Sequence, residues 1–227
     1  SLEEWRVFLH PSQKSIVSNN AKGPMKITGT AGTGKTVALL HRAVHLSRNL
    51  KEKGSNDEGV LLLTFTMNLA YNLNEQIRQL DPDAASRVTV THLYGFARTI
   101  CQRTDWRGLV KFPDELSEYW EPAIEHLSAC PLSLPDLKQE FERIIDPLGI
   151  TTEEEYLTAV RSGVPRLSRP QRKAVWEVML IFMDTLRKRG DVLTPNGTVR
   201  QAHLALERLR EQEGDNRKQI LSMRYPH

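Results

Sequence analysis

The stretch Gly29-Thr30-Ala31-Gly32-Thr33-Gly34-Lys35-Thr36 constrains this chain more than any other. It matches G-x-x-x-x-G-K-[ST], a phosphate-binding loop that works between a strand and the helix it opens. Both flanks are present in the sequence: Met25-Lys26-Ile27-Thr28 reads as a short strand, and a helix runs from Thr36 to about Leu50. Glycines at 29, 32 and 34 let the backbone turn so that its N–H groups converge on a phosphate, while the helix adds its positive end. Lys35 is then expected to reach the β- and γ-phosphates and the Thr36 hydroxyl to ligate Mg²⁺.

The remaining pattern places this loop in a sheet. Val60 to Phe65 is an apolar run of the parallel-sheet kind, followed by Thr66-Met67-Asn68 and a helix through Leu80 that Pro82 stops. Val88-Thr89-Val90-Thr91 predicts a third strand, running into Leu93-Tyr94-Gly95-Phe96 and a helix through Cys101. Strand, helix, strand, helix, strand with a phosphate loop on the first strand predicts an α/β nucleotide-binding parallel sheet. On the loop helix, Val37, Leu39, Leu40, Val44 and Leu46 form the expected buried stripe. Ahead of the loop, Leu2 to Asn20 reads as helical, with Trp5, Phe8 and Leu9 as an apolar patch before Pro11.

From about Asp105 strand signals vanish. Helical patterns cover Asp114–Leu127, Pro135–Ile145, Glu153–Val160, Pro170–Arg189, Val199–Glu211 and a short piece near Arg217–Met223, with prolines marking starts and stops. Trp106, Trp120 and Trp176 recur among aliphatic residues and read as core. Cys101 and Cys130 have neither metal-site spacing nor a disulfide framework, and read as free thiols. His41 and His45 stand four apart, but without a third ligand they read as a packed or solvated pair. The longest wholly aliphatic run is Val60–Leu63, far short of a membrane span, and a cytoplasmic location is expected.

Charge is uneven. Residues 1–54 carry nine Lys/Arg against three acids, residues 105–160 four against thirteen, and residues 161–227 fourteen against seven. Such blocks can present a positive groove to a polyanion or form solvated helix faces. The densest basic cluster is Arg161, Arg166, Arg169, Arg172 and Lys173.

Taken in order, Gln13, the loop at 29–36, Leu63-Thr64-Phe65-Thr66-Met67-Asn68-Leu69-Ala70 and Val88-Thr89-Val90-Thr91-His92 resemble successive motifs of superfamily 1 DNA helicases of the UvrD/Rep kind. The resemblance implies a RecA-like ATP-binding subdomain over residues 1–104, a helical insertion over 105–223, and a lead-in to a further strand at 224–227. It implies ATP and Mg²⁺ as cofactors, with Gln13 recognising adenine through an amide that donates and accepts at once, and the loop residues holding the triphosphate. Thr64, Phe65 and Thr66 would line a path for single-stranded or partly duplex DNA; Phe65 either stacks on a base or ends a buried strand as core.

The chain departs from the family spelling in several places. The usual Thr-Phe-His-Ser reads Thr91-His92-Leu93-Tyr94 here, leaving His92 and Tyr94 as alternative DNA contacts, and Met67-Asn68 replaces Asn-Lys. Family members follow the helical insertion with an aliphatic strand ending in Asp-Glu, which orients the attacking water. Here the only Asp-Glu pairs are Asp57-Glu58, before a strand, and Asp114-Glu115, after Pro113. The expectation is a piece of a longer helicase with an incomplete sheet, a phosphate grip that gives weak nucleotide binding, and little or no turnover, completed by a second RecA-like domain. A nucleic-acid-binding module without catalysis, and another P-loop enzyme such as a nucleotide kinase, are the alternatives. Oligomeric state is unspecified by the sequence.

Overall fold

The computed structural model describes residues 8–19, 23–52, 54, 59–104 and 106–212. These divide into two compact units: the described residues up to Phe96 with those from Leu209, and Ala97–Arg208.

The first unit opens with a 3-10 turn, Pro11–Gln13, that leads into α1 (Lys14–Val17). The expected helix from Leu2 thus begins only at Pro11 among the described residues; Phe8 to His10 are not helical, and Trp5 lies outside them. Pro11 starts the helix because its fixed φ suits the first helical position, where a missing N–H costs nothing. The loop helix is α2 (Lys35–Glu52), followed by β1 (Val60–Thr64), α3 (Met67–Leu80), α4 (Pro82–Ala85), β2 (Val88–His92) and α5 (Leu93–Arg103), whose residues from Ala97 belong to the second unit. Pro82 ends one helix and begins the next. Asp81 caps α4 by accepting from Ala84 N at 2.9 Å, and that bond, with Arg48 beside it, holds its carboxyl below the usual range.

β1 and β2 are parallel neighbours in register from Val60 opposite Val88 to Thr64 opposite His92. The described residues thus form a mostly helical α/β chain with a two-stranded parallel sheet. The third strand expected at Met25–Thr28 is not part of it. That segment has no regular secondary structure; its exposure alternates from half-buried Met25 and Ile27 to exposed Lys26 and Thr28, but no described strand pairs with it.

One face of the sheet is covered. Leu62 and Val88 pack with Leu40, Ala43 and Val44 of α2, Leu73 and Ile77 of α3, and Ala84. Leu61 and Leu63 point the other way and stay exposed, so β1 is not buried on both faces as its apolar run predicts. Along α2 the buried positions are Ala38, Leu40, Ala43, Val44 and Ser47, whereas Leu39 is exposed and Val37 and Leu46 are half-buried. The stripe is turned from the expected one because small residues let the helix approach the sheet, and Ser47 reaches Ala84 O at 3.3 Å.

The second unit is helical around an aromatic core. Trp120 stacks on Phe182 with centroids 3.7 Å apart, Phe141 meets both edge-on, and Tyr156 stacks on Trp176. Trp106 is buried as well, donating from Nε1 to Asp191 Oδ2 at 2.6 Å, so Trp106, Trp120 and Trp176 are all core. Cys101 is buried, Cys130 is half-buried, and both thiols are free.

The expected helix Asp114–Leu127 breaks into a 3-10 stretch, Pro113–Trp120, a short α-helix, Glu121–Ile124, and a 3-10 turn, Leu127–Ala129. Pro122 explains the break: it lacks the N–H that would bond Glu118 O in an α-helix, and Arg189 Nη1 takes that carbonyl instead at 3.0 Å. Further on, Leu134–Glu140 continues through a π-turn, Phe141–Ile145, into Asp146–Leu148. The widening absorbs Pro147 inside a helix predicted to stop at Ile145, and Gly149, at φ 63°, ends the run. Glu153–Thr158, Arg169–Lys188 and Pro195–Gln212 complete the unit's helices close to their expected spans, while the piece near Arg217–Met223 and residues 224–227 lie outside the described residues. No described helix is long and apolar enough to cross a membrane.

Candidate functional site

In the first unit, the chain runs without regular structure over residues 24–30, turns at Ala31 and Gly32, and enters α2 at Lys35. Gly32 and Gly34 hold φ of 78° and 77°, a region that strains any residue with a Cβ. A Cβ on Gly34 would also sit 2.9 Å from Gln13 Nε2, so the Gln13 amide would have to shift from its place on the loop. Gly29 is similarly crowded, 2.7 Å from Thr33 Oγ1.

Side chains brace the loop from both sides. Lys35 Nζ donates to Gly29 O at 2.8 Å and Thr30 O at 2.6 Å, and Thr33 Oγ1 donates to Thr30 O at 2.9 Å. Gln13 Nε2 donates to Thr33 O at 2.9 Å, while its Oε1 accepts from His10 N at 3.3 Å. Gln13, 20 residues from Thr33 in sequence, is therefore held directly against the loop. The first intrahelical bond beyond the loop is Ala38 N to Gly34 O at 2.9 Å, so the N–H groups of Lys35, Thr36 and Val37 open the helix without carbonyls of their own turn. Thr36 is exposed at this end and Lys35 half-buried.

A second cluster forms where β1 and β2 end side by side. Thr64 Oγ1 donates to Thr66 O at 2.8 Å, and Thr66 Oγ1 caps α3 by accepting from Leu69 N at 3.3 Å. Between them Phe65 projects outward, 71% exposed, so it is not the core residue that one reading of the sequence allowed. Its ring meets Tyr94 edge-on at 6.1 Å, and Tyr94 meets His92 edge-on at 6.5 Å. His92 Nδ1 accepts from Gly95 N at 3.3 Å, which fixes the ring at the start of α5. Thr64, Phe65, Thr66, His92 and Tyr94, scattered over two sequence motifs, are thus one surface at the carboxyl ends of parallel strands, where open α/β sheets bind ligands. Met67 and Tyr71, 68% and 67% exposed, continue it along α3 at helical spacing; the sequence signalled neither.

The basic cluster of the second unit is not a free cationic face. The Arg161 side chain is buried and pairs through Nε and Nη2 with both oxygens of buried Glu140, at 2.5 and 2.7 Å, while Tyr156 donates to the same carboxylate. Arg172 Nη1 donates to the carbonyls of Tyr156, Leu157 and Ala159, and Lys173 pairs with Glu153. Arg166 and Arg169 are the exposed remainder. His45 of the histidine pair meets Asn49 at 3.1 Å, and among the described residues no three potential ligands gather for a metal.

Comparison with known proteins agrees with this arrangement. ATP-dependent DNA helicase PcrA from Staphylococcus aureus strains Mu50, COL and MRSA252 is in each case 30% identical to this chain over 92 residues. That stretch is 40% of this chain and 12% of the length of each relative. The model of the UvrD/REP helicase N-terminal domain matches residues 9–157, which include the glycine-rich loop, both strands and the start of the helical unit. With well over half of its length matched, the chain belongs to the UvrD/REP helicase N-terminal domain family.

Proposed function

We propose that this chain is the ATP-binding N-terminal part of an ATP-dependent DNA helicase or translocase acting on single-stranded DNA, built on a P-loop RecA-like subdomain. The observation that carries this reading is that Gln13, Lys35 and the N-terminus of α2 all meet one eight-residue loop in which Gly32 and Gly34 hold positive φ and Gly29 and Gly34 are closely approached by side chains. The loop amides and Lys35 suit a triphosphate, and the exposed Thr36 hydroxyl suits its Mg²⁺. Lys35 already lies against loop carbonyls and exchanges them for phosphate oxygens without moving the backbone. Gln13 keeps a second hydrogen on Nε2 and a second lone pair on Oε1, enough to donate to and accept from an adenine edge.

The DNA path runs over Thr64, Phe65, Thr66, His92 and Tyr94, where the exposed Phe65 ring offers a stacking surface. Residues 1–104 are the ATP-binding subdomain in this reading, residues 105–223 the helical insertion, and 224–227 the lead-in to a further strand, with a second RecA-like domain as the partner. Binding without turnover is the expected state of the chain alone. Asp114-Glu115 does not end a strand: it heads the 3-10 stretch, where Glu115 accepts from Phe112 N at 2.7 Å. Asp57-Glu58 lies outside the described residues.

Steady-state ATP hydrolysis, measured with and without a single-stranded oligonucleotide, tests this. Turnover at background in both conditions is expected. DNA-stimulated hydrolysis that Lys35→Ala abolishes would contradict it and place a water-activating carboxylate within these residues.

A further inference from the structure

Arg42 lies seven residues beyond Lys35, about two turns further along α2 and on nearly the same face. Its side chain is half-buried and reaches back to the segment that carries Gln13. Nη1 lies 3.1 Å from Ile16 O, 3.1 Å from Val17 O and 2.8 Å from Asn19 O, the carbonyls at and just beyond the end of α1. A cation at a helix carboxyl end neutralises carbonyls that have no partner in the helix and complements its dipole. A four-residue helix has little stability of its own, so this clamp decides where the helix sits.

Two links therefore tie the Gln13 segment to the phosphate loop and its helix. Gln13 Nε2 holds Thr33 O at the loop, and Arg42 holds the other end of the same short helix to α2. We infer that Arg42 is a positioning residue for base recognition: by fixing α1 on the loop helix it sets the Gln13 amide at the adenine edge, without touching nucleotide itself. This rests on the ATP-binding reading above. The phosphate grip comes from the loop and Lys35, which Arg42 does not contact in any of these bonds, so the two parts of nucleotide affinity separate at this residue.

The test compares the 227-residue chain with its Arg42→Met, Arg42→Lys, Gln13→Ala and Gln13→Ala/Arg42→Met variants, titrated with Mg-ATP, Mg-GTP and inorganic tripolyphosphate with Mg²⁺. Arg42→Met is expected to weaken ATP about tenfold and to erase the preference for ATP over GTP, with tripolyphosphate binding unchanged. Arg42→Lys, which keeps the charge and three donors on a shorter stem, is expected to fall between wild type and the Met variant. Because Arg42 acts through Gln13, the double variant is expected to bind ATP no more weakly than Gln13→Ala alone.

Equal losses for ATP and tripolyphosphate, or additive losses in the double variant, would overturn the assignment. Should Arg42→Met not fold, the ATP-to-tripolyphosphate affinity ratio of Arg42→Lys decides: a reduced ratio supports the assignment and an unchanged one overturns it. Wild-type chain that binds tripolyphosphate but does not prefer ATP would remove base recognition alone. Wild-type chain that binds neither would remove the ATP-binding reading and this inference with it.

Discussion

Phe65 stands out at the scale of single residues, because its sequence environment and its structural one disagree. An aromatic ending an apolar strand is ordinarily buried, yet here the ring is 71% exposed and is backed only edge-on by Tyr94. Base stacking on such a ring is worth about 1–3 kcal/mol per base. Phe65→Ala is therefore expected to weaken binding of a single-stranded oligonucleotide by that amount, roughly five- to 150-fold, in a fluorescence anisotropy titration. The melting temperature should stay close to wild type, since an exposed ring contributes little to the core. Unchanged affinity would remove Phe65 from the DNA path, and a large drop in melting temperature would show that it is structural. The need for glycine at 32 and 34 was legible in sequence because their backbone, with φ of 78° and 77°, strains any residue that has a Cβ. The bonds that Thr33 and Arg42 make were not, since the motif leaves the side chain at 33 free and Arg42 acts on carbonyls 23 to 26 residues away.

Among the elements, the region from Glu140 to Arg172 shows how charge in a sequence can mislead. Five basic residues within thirteen positions suggest a polyanion surface, but two of them are spent inside the unit, Arg161 on Glu140 and Arg172 on the end of Glu153–Thr158. Removing one partner of a buried ion pair strands the other charge, at a cost of about 3–5 kcal/mol. Arg161→Met is expected to lower the stability of the helical unit by that amount in urea unfolding followed by tryptophan fluorescence. The double variant Glu140→Leu/Arg161→Met is expected to recover most of the loss, because no unpaired charge remains. A single variant as stable as wild type would show that water reaches Glu140. Helix spans were readable from apolar spacing and caps, as the Thr152 and Ser168 capping boxes confirm at the starts of Glu153–Thr158 and Arg169–Lys188. Helix type was not: 3-10 and π stretches arise where Pro122 and Pro147 remove single backbone donors, a local effect that periodicity averages away.

For the whole molecule, the sequence carried the family through four short motifs, and the match over residues 9–157 bears that out. It was less informative about the sheet, because strand pairing is a long-range property. Val60–Thr64 and Val88–His92 pair as their composition predicts, whereas Met25–Thr28 has the right residues but no described partner. The same limit hid the shared surface of Phe65, His92 and Tyr94, which exists only because two strands end in register. The proposed function depends on a phosphate grip built around Lys35, and the measurement that tests it most directly is calorimetric titration with Mg-ATP of the wild-type chain and Lys35→Ala. Saturable binding by the wild type, weakened at least about tenfold in the variant, is the predicted result, as befits a charge-assisted contact to phosphate. No binding by the wild type, or equal binding by both chains, would contradict it.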